Sequence, residues 1–215
     1  MKTILIGSQK GGSGKSTLCV NLASALVNNN FSVTVLDADE QPTSSDWGYI
    51  RTTEQETQPE IIFIQAYGDI REKIDNVTTD YLLIDAAGHD SPELRSALLV
   101  CDVFIAPFNA SITALKTLPY MTEIVTKARE HNNMKALAVI NIAPTNVLMN
   151  NNALAQQLFS DYPEFTLCSS IIYNRSIYDT CMGIGLGVVE TAGKSASERI
   201  AKQEVLALML EVLNA

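Results

Sequence analysis

The sequence predicts an α/β fold, a doubly wound and mostly parallel β-sheet flanked by helices, on three observations. Apolar runs of strand length alternate with segments of helical periodicity along the chain. The first of these runs, residues 3–7, is apolar enough to be buried on both faces, as a parallel strand under helices must be. Between that run and the first helix lies a glycine-rich loop, Gln9-Lys10-Gly11-Gly12-Ser13-Gly14-Lys15-Ser16-Thr17. Strand, glycine loop, helix is the context a phosphate-binding loop requires.

The chemistry of that loop is direct. Gly11, Gly12 and Gly14 let backbone N–H groups turn inward without a Cβ clash. The N–H groups of residues 10–17 form a concave nest for phosphate oxygens, and the following helix adds its positive end. Lys15 brings a charge to the β- and γ-phosphates, and the Ser16 hydroxyl is a ligand for Mg²⁺. The strict pattern G-x-x-x-x-G-K-S/T fails at its first position, where Gln9 replaces glycine, and a further lysine, Lys10, precedes the glycines.

At 215 residues the chain fits one domain, expected to span residues 1–215, with a large core. A hydrophobic fraction of 47% and a charged fraction of 18% are ordinary for a globular protein. No apolar run reaches the length of a membrane span, and Met1-Lys2 leads straight into a strand, so neither membrane segment nor signal peptide is expected. The four cysteines, Cys19, Cys101, Cys168 and Cys181, are far apart in apolar surroundings and read as reduced core thiols of a cytoplasmic protein. A net charge of −9 has the wrong sign for a protein whose main partner is nucleic acid, and suits a basic protein partner.

The elements follow in order. Residues 16–29 form the first helix, with Leu18, Leu22, Ala25 and Leu26 on one face, ended by Asn28-Asn29-Asn30. Residues 31–37 form the second strand, which stops at Asp37. A helix carrying Trp47, expected to pack beneath it, occupies part of the polar stretch 43–60, before a third strand at 61–65. A helix at 69–77 capped by Gly68 or Asp69 precedes Tyr81-Leu82-Leu83-Ile84-Asp85, the Walker B form, whose aspartate holds Mg²⁺ through water and completes the metal site with Ser16. Gly88 gives the next loop freedom, and His89 within it reads as solvated or as a loop contact. Ser91 caps a helix to Leu99; a strand at 102–106 closes at Pro107; a long helix at 112–129 is kinked at Pro119. A strand at 135–141, a helix at 147–159, a strand at 165–172 and a helix at 196–213 with Ile200, Val205, Leu208 and Val212 on its packed face complete the chain.

The loop with its extra lysine is similar to the deviant Walker A box of the ParA/MinD family of partitioning and positioning ATPases, on the P-loop NTPase fold. The resemblance is strongest up to residue 90 and weak from 110 onward. It continues in Asp37-Ala38-Asp39-Glu40-Gln41-Pro42, where the family has D-x-D-P-Q; Glu40 stands where proline is usual. It implies that Asp39 orients or activates the attacking water and that Asp37 lies near the Mg²⁺ shell. Residues 86–89 resemble the second switch loop, and 107–111 the P-x-x-x-S segment ahead of a region that contributes to the dimer face. Asn141 sits where relatives place a polar adenine contact, and Asn174 and Arg175, in the late nucleotide-proximal loop, would approach the adenine or nucleic acid. Gly187-Val188-Val189-Glu190 resembles the family's G-x-x-V-x-E tail.

The resemblance gives Lys10 a role across a face-to-face homodimer, on the partner's nucleotide, so that ATP binding drives dimerisation and hydrolysis weakens it. The function it implies is DNA segregation of plasmid or chromosome. The ATP-bound dimer would hold DNA non-specifically and become nucleoid-associated, and a centromere-binding, ParB-like partner would stimulate a weak ATPase. Arg175, Lys194, Arg199 and Lys202 are the candidate phosphate contacts, offset by Glu190, Glu198 and Glu204. A MinD-like membrane positioner needs a basic amphipathic last helix, whereas residues 206–215 hold no Lys or Arg. A metabolic P-loop enzyme would not need Lys10, and an iron–sulphur protein would need cluster-like cysteine spacing.

Overall fold

The computed structural model describes residues 1–56, 58–109, 116–146 and 157–215. Seven strands lie in the order β3-β2-β4-β1-β5-β6-β7, and the paired strands run parallel. They are β1 (Lys2–Ile6), β2 (Val33–Ala38), β3 (Ile62–Gln65), β4 (Tyr81–Ala86), β5 (Val103–Asn109), β6 (Lys135–Ala143) and β7 (Thr166–Tyr173). The helices are α1 (Lys15–Val27), α2 (Thr43–Glu54), α3 (Arg71–Asp75), α4 (Pro92–Leu98), α5 (Leu118–Arg129), α6 (Ser176–Gly183) and α7 (Ala196–Leu213), with a 3₁₀ turn at Val188–Glu190. The chain winds outward from β1 in both directions, so the switch point, where α/β sheets bind ligands, lies beside the end of β1.

Two cores sandwich the sheet. On one side α1 and α7 cover Ile4, Ile6, Val35, Leu83, Ile105 and Val139. On the other, α4 and α5 cover Leu5, Leu36, Ile84, Phe104 and Ala138. Alternate residues of β1 thus enter opposite cores, which is why the run is apolar throughout. Burial on α1 extends well beyond the expected face, to Cys19, Val20 and Ala23, because α7 packs on its outer side. All four cysteines are buried and form no disulfide, and burial pushes the Cys101 and Cys168 thiols up to about 12. Trp47 is buried against Phe63.

Several expectations need correction. The first helix ends at Val27, short of residue 29, while the asparagine run ends it as expected, with Asn28 as its C-cap and Asn30 at φ 64°. Pro107 does not close β5, which continues to Asn109. Ile105 turns its carbonyl toward β1, accepting from Gly7 N, and Pro107 shares that side; β1 ends at Ile6, so the missing N–H forfeits no ladder bond. Pro119 lies in the first turn of α5, where no N–H is needed, and makes no kink. Helix α3 is shorter than 69–77; Ile70 occupies its cap position, and Asp69 instead accepts from Arg71 N. Helix α6 was not expected. On α7 the buried stripe is Ala201, Val205, Leu208 and Val212, at helical spacing, while Ile200 is exposed. Ser111, the start of the expected 112–129 helix and most of the 147–159 helix lie outside the described residues; residues 157–159 are helical.

The G-x-x-V-x-E tail has a structural task. Glu190 receives both arms of the Arg51 guanidinium at 2.7 and 2.8 Å, with the two side chains 4% and 1% exposed. Arg51 also donates to the Gly185 and Pro59 carbonyls, and Glu190 accepts from Gly187 N and Asn28 Nδ2. A Cβ on Gly187 would fall 2.4 Å from Ser24 Cβ, so only glycine lets this turn lie against α1. Removing one partner of such a buried pair strands the other charge. Glu190→Ala is expected to cost about 3 kcal/mol, seen as a lower urea midpoint at unchanged slope. The double variant Arg51→Met with Glu190→Leu should recover most of the loss.

Candidate functional site

The loop after β1 is held from beneath at several points. Ser8 Oγ donates to the Lys10 carbonyl at 2.9 Å and shares a 2.8 Å hydrogen bond with Ser13 Oγ. Asn141 Nδ2 donates to the Ser13 carbonyl at 2.7 Å. Gly12 and Gly14 adopt φ of 75° and 79°, a region that L side chains rarely enter, and Gly14 caps α1 in that conformation. The loop therefore curls over the N-terminus of α1, as the sequence predicts.

Gly11, Gly12, Gly14, Lys15, Ser16 and Thr17 line one wall of a cleft of about 480 Å³; Asp39, Glu40, Gln41, Thr43, Gly88 and His89 line the rest. Lys15 is buried, and burial lowers its pKa while the charges of Asp85 and Asp39 oppose that shift. Lys10 lies on the exposed rim of the same loop. Gly88 is needed for close approach: a Cβ there would lie 2.7 Å from Gly11 N and 2.9 Å from Lys15 Nζ. Its φ lies outside the left-handed region, so the close approach, and not a special backbone conformation, is the visible demand for glycine here.

Asp37 and Asp85 face each other in register at the tips of β2 and β4, and both are buried. Asp37 spends its oxygens on the acidic turn: Oδ1 accepts from Asp39 N at 3.2 Å and Oδ2 from Ser45 N at 2.8 Å. Burial raises its pKa. Asp39, partly exposed, accepts from Gln41 N at 3.0 Å and reaches the cleft. Asp85 Oδ2 accepts from Ser44 Oγ at 2.5 Å, and its Oδ1 is buried with no hydrogen-bond partner among the described residues. Burial pushes the Asp85 carboxyl up to about 6, against the pull of the Ser44 and Ser16 hydroxyls and of Lys15. An orphaned carboxylate oxygen beside a serine hydroxyl is a hard oxygen set that fits Mg²⁺. Among the described residues no three His, Cys, Asp or Glu side chains gather as a metal cage, so such an ion would share its shell with phosphate and water.

A second, smaller cavity of about 140 Å³ shares Gly14 and Thr17 with the cleft and is walled further by Leu18, Asn21, Asn141, Asn174, Arg175 and Tyr178. It gathers the residues expected near the base. Arg175 is tied down there: its guanidinium bonds Glu204 Oε1 at 2.7 and 3.0 Å and stacks over Tyr173. Of the candidate DNA contacts, Lys194, Arg199 and Lys202 gather instead around Gly193, with Arg199 donating to the Gly193 and Lys194 carbonyls and Lys202 to that of Thr191. The sequence reading missed Ser44 and Ser45; the hydroxyl run Thr43-Ser44-Ser45 directly after the acidic turn was the available signal.

Residues 4–179 match the family model described as the CobQ/CobB/MinD/ParA nucleotide binding domain. The chain is 22% identical over 203 residues to the maintenance of carboxysome distribution protein A of Halothiobacillus neapolitanus, covering 92% of each. Among solved structures, the Cyanothece McdA(D38A)–ATP complex superposes with a TM-score of 0.80 at 17% identity, covering 100% of this chain and 96% of that one. A putative plasmid partition protein of Borrelia burgdorferi bound to AMPPNP gives 0.74 at 17% identity, with coverages of 98% and 99%.

The buried carboxyl has a pH consequence. An unfolded aspartate loses its proton near pH 4, whereas folded Asp85 holds it to about 6. Between these values the folded state carries the extra proton, so the stability due to Asp85 is present below about pH 4 and lost as pH rises through 6. Asp85→Asn, free of ligand, should be more stable than wild type near neutral pH, with the gap closing below about pH 4. Urea unfolding across that range measures it; a pH-independent gap would reject the assignment.

Proposed function

The chain belongs to the CobQ/CobB/MinD/ParA nucleotide-binding family, and from that premise we propose that residues 1–215 act as one ATPase unit, a dimerisation switch that partitions or positions a cargo. The observation that carries this reading is the pair of lysines on one phosphate loop, Lys15 buried among the site's carboxylates and Lys10 on the exposed rim. A cation beneath the cleft serves the chain's own nucleotide. A cation on the rim is placed to reach a nucleotide brought by a second subunit. ATP is then part of the interface, and its hydrolysis loosens the dimer.

Within one subunit the roles follow from position. The N–H groups of residues 11–17 and the Lys15 ammonium hold the phosphates. Ser16 and Asp85 would hold Mg²⁺, which when bound would supply positive charge against the phosphates. Asp39 is the cleft carboxylate that orients water; Asp37 fixes the turn that carries it and supports the metal shell from behind. Asn141 and Asn174 wall the base cavity. Gly88 packs on Gly11 and Lys15, so loss of the γ-phosphate would be felt in residues 86–89.

For the cargo, DNA is the favoured reading. The ATP-bound dimer would hold it non-specifically through Lys194, Arg199 and Lys202, with Arg175 contributing only if it leaves Glu204. A centromere-binding, ParB-like partner of basic character would suit a chain of net charge −9 and would stimulate hydrolysis. The plasmid partition protein of Borrelia burgdorferi supports this reading, while the carboxysome-distribution relative is named for a different cargo. The protein would work in the cytoplasm, nucleoid-associated when ATP-bound. The MinD-like membrane reading is weaker, because α7 lays its apolar stripe on the sheet and residues 206–215 hold no Lys or Arg.

Light scattering with and without a non-hydrolysable ATP analogue tests the switch. Wild type should dimerise only with the analogue, and Lys10→Ala should stay monomeric while still binding nucleotide. Lys15→Ala should lose nucleotide binding or turnover. A dimer indifferent to both the analogue and Lys10 removes the switch; undiminished ATPase in Lys15→Ala removes the phosphate site. Salt-sensitive binding to random DNA against binding to anionic liposomes separates the two cargo readings.

A further inference from the structure

The end of β6 is irregular where it meets the phosphate loop. Ile140 pairs with Ile171 and Ala143 with Tyr173, so three steps along β6 match two along β7. The extra residue falls at the Asn141-Ile142 step, and Ile142 takes a left-handed φ of 54°. A β-branched residue enters that region only where its surroundings hold it there. Bulges of this kind re-aim the side chains beside them. The side chain re-aimed here is that of Asn141, buried, with Nδ2 on the Ser13 carbonyl at 2.7 Å. From the same corner Ile142 packs toward Gly14: a Cβ built on Gly14 would lie 2.5 Å from Asn141 Nδ2 and 3.2 Å from Ile142 Cδ1.

We propose that the Asn141-Ile142 corner positions the phosphate loop, with Asn141 acting on the phosphates through Ser13 rather than reading the base. In a trans peptide the carbonyl and the N–H point in opposite directions. Anchoring the Ser13 carbonyl on Asn141 therefore turns Gly14 N–H away from the base cavity. Gly14 also lines the phosphate cleft, and the proposal directs its N–H to that side. Asn141 is thus a positioning residue, and the inverted backbone at Ile142 is what aims it. The inference rests on the nucleotide-binding reading and gives this asparagine a different task from the adenine contact that the family resemblance implies.

The two tasks part experimentally. An amide that reads the 6-position of the base tells an amino group from a carbonyl, whereas one that holds Ser13 acts alike on any triphosphate. Asn141→Ala and the isosteric Asn141→Asp, which lacks the N–H donor, are to be titrated with ATP and with inosine triphosphate, which has a carbonyl where ATP has an amino group. Affinity for ATP should fall roughly tenfold, and the preference for ATP over inosine triphosphate should stay within about twofold of wild type. In the ligand-free protein, amide hydrogen exchange across residues 11–16 should quicken while β1, β4 and β5 exchange as in wild type. A preference that collapses toward one assigns Asn141 to the base and overturns the proposal. Unchanged exchange in the loop overturns it as well. Wild type that binds neither nucleotide would sink the nucleotide-binding reading instead, and the exchange measurement would still judge Asn141.

Discussion

Two carboxylates, Asp37 and Asp85, face each other across adjacent strands at the centre of the sheet, and neither reaches solvent. Like charges so placed repel, and burial adds a desolvation cost to each. The surrounding structure is arranged to meet that cost. The amides of Asp39 and Ser45 are spent on Asp37, the Ser44 hydroxyl on Asp85, and the Lys15 ammonium is held close by. What is left over, among the described residues, is an Asp85 oxygen without a hydrogen-bond partner. An oxygen so placed is a hard donor of the kind that suits a cation, which is what the proposed Ser16–Asp85 site would use.

The parallel sheet makes this arrangement possible. Because its strands end on the same side, the polar residues that close β1, β2 and β4 converge at the switch point while the apolar residues behind them fill two cores. The loop between β1 and α1 cannot lean on strand pairing, so it is fastened by side chains: Ser8 from its own stem, Ser13 from within, Asn141 from across the sheet. Gly88 closes the remaining side by direct backbone approach. The loop is thus in contact with the segment after β4 on one flank and with the end of β6 on the other.

Far from the cleft, the Arg51–Glu190 pair ties α2, the turn at 185–190 and α1 into one unit. Edge strand β7 is guarded similarly, since Ser169 N and Ser170 N both donate to Glu211 of α7 rather than standing open to another chain. Carboxylates of α7 therefore hold backbone and guanidinium groups in place. This is why the basic residues late in the chain differ in character: Arg175 is absorbed into the fold by Glu204, whereas Lys194 and Arg199 remain on the surface.

The sequence alone determined the sheet, the phosphate loop and the three aspartates, because each is a local pattern. Continuous apolar runs specify buried parallel strands, glycines and a lysine between strand and helix specify the loop, and an aspartate after an apolar run marks a strand tip. Local patterns misplaced Pro107 and Pro119, since a proline breaks an element only where its missing N–H was needed, and that depends on neighbours. They missed Ser44, the Arg51–Glu190 pair and helix α6 for the same reason. Tertiary structure alone decided that Asn141 bonds Ser13, 128 positions away along the chain, that Gly88 lies against Gly11 and Lys15, and that Arg175 is already paired. Those outcomes are fixed by which strand tips and helix faces meet, and burial then assigns each polar atom its partner.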